Sequence, residues 1–454
     1  MQLMSPTDAI FFMGESREHP MHVGGLQLFE PPSGAGPEFV VDLYEQIAAQ
    51  TDIQPTFRTH PAKILGGVAG FGAWSVDDEI DLDYHLRRSA LPSPGRVRDL
   101  LELISRVHGT LLDRHRPLWE AYLIEGLQDG RFAFYTKIHH SLIDGVSAVK
   151  LAMRALSDDP DDTTVRTPWT LPPRKSKAGR PAPALLETVS GTVGSVLGLA
   201  PSTLRIANAA LREQHLTMPF GAPKTMFNVK IGGARRFAAQ SWPLERVKNV
   251  KAAAGVTVND VVLGMCAGAL RAYLIENDAL PDAPLIAMVP VNLRSEAEAN
   301  TGGNHVGSVL CNLGTDIEDP ERRLHTIATS MRGNKKVLGD LPRLEVLALS
   351  GLMIAPLGLG AVPGFVGTAP PPFNVVISNV PGPRKPMYWN GARMTGDYPA
   401  SIVMDNLALN ITFVSNADNL DFGLIGCRRS VPRLQRLLGH LEDALADLER
   451  AFGV

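Results

Sequence analysis

Two adjacent histidines, His139 and His140, lie in the stretch KIHHSLIDG, which also supplies Asp144 and Gly145. An imidazole titrates near neutral pH, with an unperturbed pKa of about 6.5, so it is a natural general base. Three readings of the cluster stand side by side. It can be a metal site, because His and Asp are common ligands, though no third or fourth ligand at convincing spacing accompanies it. It can be a structural histidine pair satisfied by its surroundings. Or it can be a base beside a small Asp-Gly turn. No GxSxG elbow is present, and no cysteine pairs obviously with the histidines. A base without a protein nucleophile activates a substrate hydroxyl, an amine or water. Direct transfer follows more naturally from that than a covalent enzyme intermediate.

The flanking segments say how such a base is held. Residues 131–137 read RFAFYTK, aromatic and β-prone, which predicts a strand. Residues 146–157 read VSAVKLAMRALS, with apolar positions at helical spacing. The histidines therefore sit where a strand ends and the chain turns into a helix. An imidazole there can be packed on one side and face a cleft on the other.

The chain has 454 residues, more than one ordinary core holds, so two domains of about 150–200 residues each are expected. Hydrophobic content of 44% and charged content of 20% are those of a globular protein. The net charge of −3 lacks the basic excess of a nucleic-acid binder. Cys266, Cys311 and Cys427 are isolated, which supports neither a disulfide framework nor a zinc site and suits a reducing, cytoplasmic setting. The start, MQLMSPTDAIFF, lacks the pattern of a signal peptide. Residues 346–366 are uncharged and about as long as a membrane span. Pro356, Pro363 and four glycines interrupt them, so a buried or lipid-facing helix followed by a loop is expected there.

The first unit is expected over residues 1–157. A proline- and charge-rich linker with a helical segment follows over 158–218, and a second unit over 219–454. The linker carries Arg174, Lys175, Lys177 and Arg180, which are either a solvated cluster or an attraction for anionic lipid or a coenzyme phosphate. In the second unit, residues 255–274 predict a helix beginning near Thr257 or Asn259. Residues 285–292 and 373–380 predict buried strands, the second ended by the PGP at 381–383. Residues 407–415 and 420–425 predict a hairpin, and 431–452 an amphipathic terminal helix.

HHSLIDG matches the HHxxxDG motif of acyltransferases with the chloramphenicol-acetyltransferase-like fold, a superfamily that includes peptide-synthetase condensation domains. Further blocks narrow the resemblance: Pro6-Thr7-Asp8, Met21-His22-Val23-Gly24-Gly25, Pro117-Leu118-Trp119-Glu120, Asn259-Asp260, Pro290-Val291-Asn292-Leu293-Arg294 and Ser378 to Pro383. In this order, and over nearly the whole chain, they resemble the bacterial wax ester synthase/diacylglycerol acyltransferase family.

The resemblance implies an α/β protein of two similar domains with mixed sheets and a central tunnel between them. It implies that His140 is the catalytic base for esterifying a long-chain alcohol or diacylglycerol with an acyl-CoA, giving wax ester or triacylglycerol. His139 would position its neighbour. Asn259 would either donate to the oxyanion or cap its helix, with Asp260 near substrate. Asp144 and Gly145 would be structural, with Arg294 as the ion-pair partner of Asp144. Pro117, Leu118 and Trp119 would shape the wall or simply pack in the core. Gly24 and Gly25 would admit close backbone approach or form a turn. No metal or other cofactor is implied, acyl-CoA being a co-substrate. The protein would work peripherally, at the cytoplasmic membrane face or on lipid inclusions. Two rivals are a condensation-type enzyme using a carrier-bound acyl donor and a non-catalytic lipid-droplet-binding protein. One departure stands out: where many relatives carry Ser-Tyr, this chain has Ser415-Asn416, which bears on the choice of acceptor.

Overall fold

The computed structural model describes residues 2–63, 71–172, 221–292, 306–339, 346 and 370–454. In chain order the first half gives β1 (Gln2–Leu3), α1 (Pro6–Gly14), β2 (His22–Glu30), α2 (Phe39–Ala48), β3 (Thr59–Lys63), β4 (Phe71–Val76), α3 (Leu82–His85), β5 (Leu86–Ala90), α4 (Val97–His108), β6 (Trp119–Glu125), β7 (Phe132–His139) and α5 (Gly145–Arg154). The second half gives β8 (Arg235–Pro243), α6 (Leu244–Ala254), α7 (Val258–Glu276), β9 (Ile286–Asn292), β10 (Val306–Asn312), α8 (Pro320–Gly339), β11 (Val375–Val380), β12 (Tyr388–Trp389), β13 (Ala392–Ala400), β14 (Leu409–Asn416), β15 (Asn419–Cys427) and α9 (Arg436–Phe452).

Two six-stranded mixed sheets form the frame, in the orders β12-β13-β2-β7-β6-β5 and β10-β9-β11-β14-β15-β8, with a small β1-β4-β3 sheet beside them. The expected α/β class with mixed sheets holds, and so do the strand, hairpin and helix positions that fall among the described residues, to within a few residues at their ends; the helical segment expected in the linker lies outside them. The division into two units needs one correction. Strands β12 and β13 belong by sequence to the second unit, yet they complete the sheet of the first, and β13 pairs with β2 from Arg393 opposite Glu30 to Ala400 opposite Gly24. Strand β13 also lies against the second sheet. A side chain at Gly423 would put its Cβ 1.8 Å from the carbonyl oxygen of Pro399, so only glycine lets the two backbones meet there. A second tie runs from α4, whose Ser105 hydroxyl accepts from the backbone N–H of Phe237 on β8 at 2.9 Å.

The second sheet is backed by α7, flanked by α8 and α9. Helix α7 is long and apolar enough to cross a membrane, but most of it is buried between its neighbours, as in a core helix. Thr257 caps it and Asp260 closes a capping box, each side chain bonded to the other's backbone N–H. Cys266, Cys311 and Cys427 are buried free thiols. The apolar stretch 346–366, apart from the buried Val346, and the basic cluster at Arg174–Arg180 lie outside the described residues.

Candidate active site

Strand β7 delivers the histidines. Its partner β2 holds His22 opposite His139 and Gly25 opposite Thr136. The backbone N–H of His140 donates to the carbonyl of Met21 at 2.9 Å, which fixes the chain as it leaves the strand. Asp144 then caps α5, its carboxylate accepting from both the backbone N–H and the hydroxyl of Ser147 at 2.9 Å. The turn HHSLIDG is thus locked at the strand end by Met21 and at the helix start by Asp144. The proposed partner of Asp144, Arg294, lies outside the described residues.

The two rings point to different surroundings. His139 is fully buried. It stacks on Phe12 at 4.6 Å, and its Nδ1 lies 2.5 Å from the Ser141 hydroxyl. Its Nε2 faces Glu15 Oε1 at 3.3 Å, and Glu15 is held in turn by Arg114 at 2.8 Å and by the N–H of Met21 at 3.2 Å. Burial alone would raise the Glu15 carboxyl, but His139 and Arg114 together hold it below its usual range. His140 stacks on Phe11 at 4.5 Å and lines a cavity of about 430 Å³ between the two sheets. That volume is typical of a small-ligand site. Burial pushes the His140 pKa down, with the Asp144 charge opposing, so the ring is a neutral base at physiological pH.

The cavity wall is mostly apolar, with Val23, Ile138, Val149, Met288, Val376 and Ile402 among its members. Gly145 and the first turn of α5 also line it, which sets the positive end of a helix beside His140. Gly24 and Gly25 line it too. A Cβ on Gly24 would come within 2.7 Å of the Tyr135 hydroxyl and 2.9 Å of the Thr136 carbonyl, whereas Gly25 has room. Behind the site, Tyr135 bonds His108 at 2.7 Å, and burial holds His108 at a pKa of about 3.

Several expected residues stand elsewhere. Leu118 packs with Phe12 and Trp74, and Trp119 stacks on His85 and Trp169; neither these two nor Pro117 is on the cavity wall. The core-packing alternative therefore describes Leu118 and Trp119, and the Leu118 carbonyl accepts from the N–H of His139 at 3.0 Å. Asn259 meets Asn379 at 3.4 Å, while the strand neighbours of Asn379, Ser378 and Val380, face the cavity. Since side chains alternate along a strand, Asn259 sits behind β11 and away from His140. It is also not the helix cap, because Thr257 has that place. Asp260 is buried in its capping box and does not touch the cavity. Sequence reasoning did not find Phe11 or Glu15, and it named Met21 only within a matching block and gave it no role at the site; α1 and the turn after it bring all three to the histidines. Nor did it find Asp397, although an acid immediately before the largely apolar run YPASIV is a signal that could have been read.

Among the described residues no group of three or more His, Cys, Asp or Glu is arranged to hold a metal ion.

Comparison with known proteins agrees with this architecture. Residues 4–262 match the wax ester synthase/diacylglycerol acyltransferase catalytic domain, and residues 302–449 the C-terminal domain of the same family. A Mycobacterium bovis protein, named provisionally as a diacylglycerol O-acyltransferase, is 66% identical over 100% of both chains. The O-acyltransferase WSD of Acinetobacter baylyi is 41% identical over 98% of this chain and 96% of its own. The structure of the wax ester synthase/diacylglycerol acyltransferase of Marinobacter aquaeolei covers 100% of both chains at 43% identity, with a TM-score of 0.81. A condensation domain of the calcium-dependent antibiotic synthetase shares the fold alone, at 15% identity and a TM-score of 0.58. The chain is an O-acyltransferase and belongs to the wax ester synthase/diacylglycerol acyltransferase family.

Proposed function

We propose that the protein transfers a long acyl chain from acyl-CoA to the hydroxyl of a fatty alcohol or of diacylglycerol, with His140 as the base. The hydroxyl proton passes to the imidazole as the oxygen attacks the thioester carbonyl. The tetrahedral intermediate carries its negative charge near the first turn of α5, whose dipole favours it. The carbon–sulfur bond then breaks, the imidazolium returns the proton to the departing sulfur, and ester and CoA thiol leave. Protons balance, and these steps call for no metal and no redox cofactor. General-base help of this kind is worth about 100- to 10,000-fold, so alignment of the two lipids supplies much of the rest. His139, sealed behind the site, positions its neighbour. Both substrates are lipids or amphiphiles, so the enzyme works at the cytoplasmic face of the membrane or on lipid inclusions as a peripheral protein.

The observation that carries this reading is the His140 imidazole on the wall of an apolar cavity between two sheets. The test is release of CoA thiol from palmitoyl-CoA with hexadecanol or dipalmitoylglycerol as acceptor, run beside a carrier-bound acyl donor. Ester formation from the CoA donor supports the reading. Turnover from the carrier-bound donor alone points to condensation-type chemistry, and lipid binding without turnover to a coat protein.

A further inference from the structure

At one end of the cavity, away from His140, the apolar wall gives way to two buried polar side chains. Asp397 on β13 and Gln27 on β2 are cross-strand neighbours, 4% and 5% exposed, and both line the cavity. The Gln27 side chain meets the Asp397 carboxyl, and beyond each other Asp397 Oδ2 and Gln27 Nε2 have no hydrogen-bond partner among the described residues. The pair is held firmly from behind. The backbone N–H of Asp397 donates to Asp421 Oδ2 at 2.7 Å, and Asn416 donates to the same oxygen at 2.8 Å. Asp421 is fully buried on β15. Burial, and then the Asp421 charge, push the Asp397 carboxyl up to about 7. Asn416 is the departure from the Ser-Tyr pattern noted in the sequence. Its amide is thus built into the support of a carboxyl that faces the cavity.

The place of this pair along the cavity sets a length. The N–H of His140 is bonded to the Met21 carbonyl, so the base stands level with Met21. Met21 immediately precedes β2, and Gln27 lies six residues further along the chain, within that strand. At about 3.3 Å per residue that is roughly 20 Å. An extended chain advances about 1.2 Å per bond, a third of the reach of one extended residue. A lipid chain running along β2 from the reacting centre therefore meets the pair after roughly sixteen bonds.

We propose that Asp397 and Gln27 form the stop that limits lipid chain length in this enzyme, a polar end wall that a hydrocarbon tail can reach but not displace. A methyl group pressed against them offers nothing to the hydrogen-bonding capacity that the pair leaves over once the two have met each other. Leaving a buried polar atom unmade in this way costs about tenfold to a hundredfold in binding. Chains that end short of the pair escape this penalty, and longer chains meet it.

The inference rests on the O-acyl transfer reading. The experiment is kcat/KM for the full-length enzyme with saturated acyl-CoA donors of increasing length and one alcohol, and with alcohols of increasing length and one donor. In one of the two series the wild-type value falls steeply beyond the length that reaches the pair, which also identifies the chain occupying this lobe. Asp397→Leu raises the ratio of long-chain to short-chain kcat/KM about tenfold or more, and Gln27→Leu moves it the same way. Asp397→Asn, which stays polar, keeps the wild-type ratio. If Asp397→Leu does not fold, Gln27→Leu carries the comparison. An active wild type whose length profile is unchanged in the leucine variants, or lowered equally at every length, overturns the stop. A wild type inactive with every donor and acceptor overturns the transfer reading instead.

Discussion

Glu15 is the residue by which the histidine pair is tied to the rest of the molecule, and its removal tests that account of the site. Its buried carboxylate meets His139 Nε2 at 3.3 Å, Arg114 at 2.8 Å and the N–H of Met21 at 3.2 Å. Glu15→Ala leaves all three without that partner at once. Breaking a buried ion pair costs about 3–5 kcal/mol. The Arg114 side chain is 27% exposed and regains some hydration, which sets the expectation at the low end, about 3 kcal/mol. For a chain of this size that is a fall in Tm of roughly 3 °C. Rate falls as well, because the Met21 carbonyl anchors the N–H of His140. A displacement of about 1 Å can cost 100-fold, so kcat drops about tenfold to a hundredfold. The Glu15 pKa is lowered on folding, so its contribution is present above the unfolded carboxylate value and is lost as pH falls below it. Glu15→Gln, which can still accept from Met21, recovers part of both losses. Thermal melting and CoA release measured on the same preparations give the answer. A Glu15→Ala enzyme that melts with the wild type and keeps its rate would refute the linkage from Glu15 through Met21 to His140.

His140→Ala lowers kcat/KM by about 100- to 10,000-fold; the wild-type acid limb, displaced below the ordinary histidine range by burial, vanishes from its pH–rate profile. Asp397 and Asp421 have carboxyls raised on folding to about 7 and about 6, mainly by burial. The folded state holds protons that the unfolded chain releases, so stability falls as pH rises from about 4 to 7. Asp421→Asn narrows the difference in Tm between pH 5 and pH 8, and an unchanged difference would contradict the assignment. Thr257→Ala loses a helix cap worth about 1 kcal/mol. Asn259→Ala, in contrast, falls well short of the about 100- to 1,000-fold loss in kcat that removing an oxyanion donor brings.

The parts of the fold that are local in sequence were legible. The strand before the histidines, the helix after them and the 409–427 hairpin follow from periodicity and turn residues. The Thr257 cap was one of two readings offered by the same rules. What the sequence hid is set by distance along the chain. Asn259 has the right chemistry for an oxyanion donor, but the side of β11 on which it falls depends on how helix and sheet pack. Trp119 reads equally well as wall or core until its stack on Trp169 is seen. Glu15 carries no signal of its own, because its partners His139 and Arg114 lie about a hundred residues away.

Strand β13 has a consequence for how the polypeptide comes to be made. Its partner β2 ends at Glu30, while β13 begins at Ala392. At about 5–20 residues per second a ribosome needs roughly 20–70 s to cover that interval. Throughout it the free side of β2 is an unpaired strand margin, the kind that recruits foreign chains. Cutting the gene at the linker would make that exposure permanent in the amino-terminal product. Coexpressed halves would have to find one another through this strand and the α4–β8 tie, and their yield of soluble complex would depend on concentration.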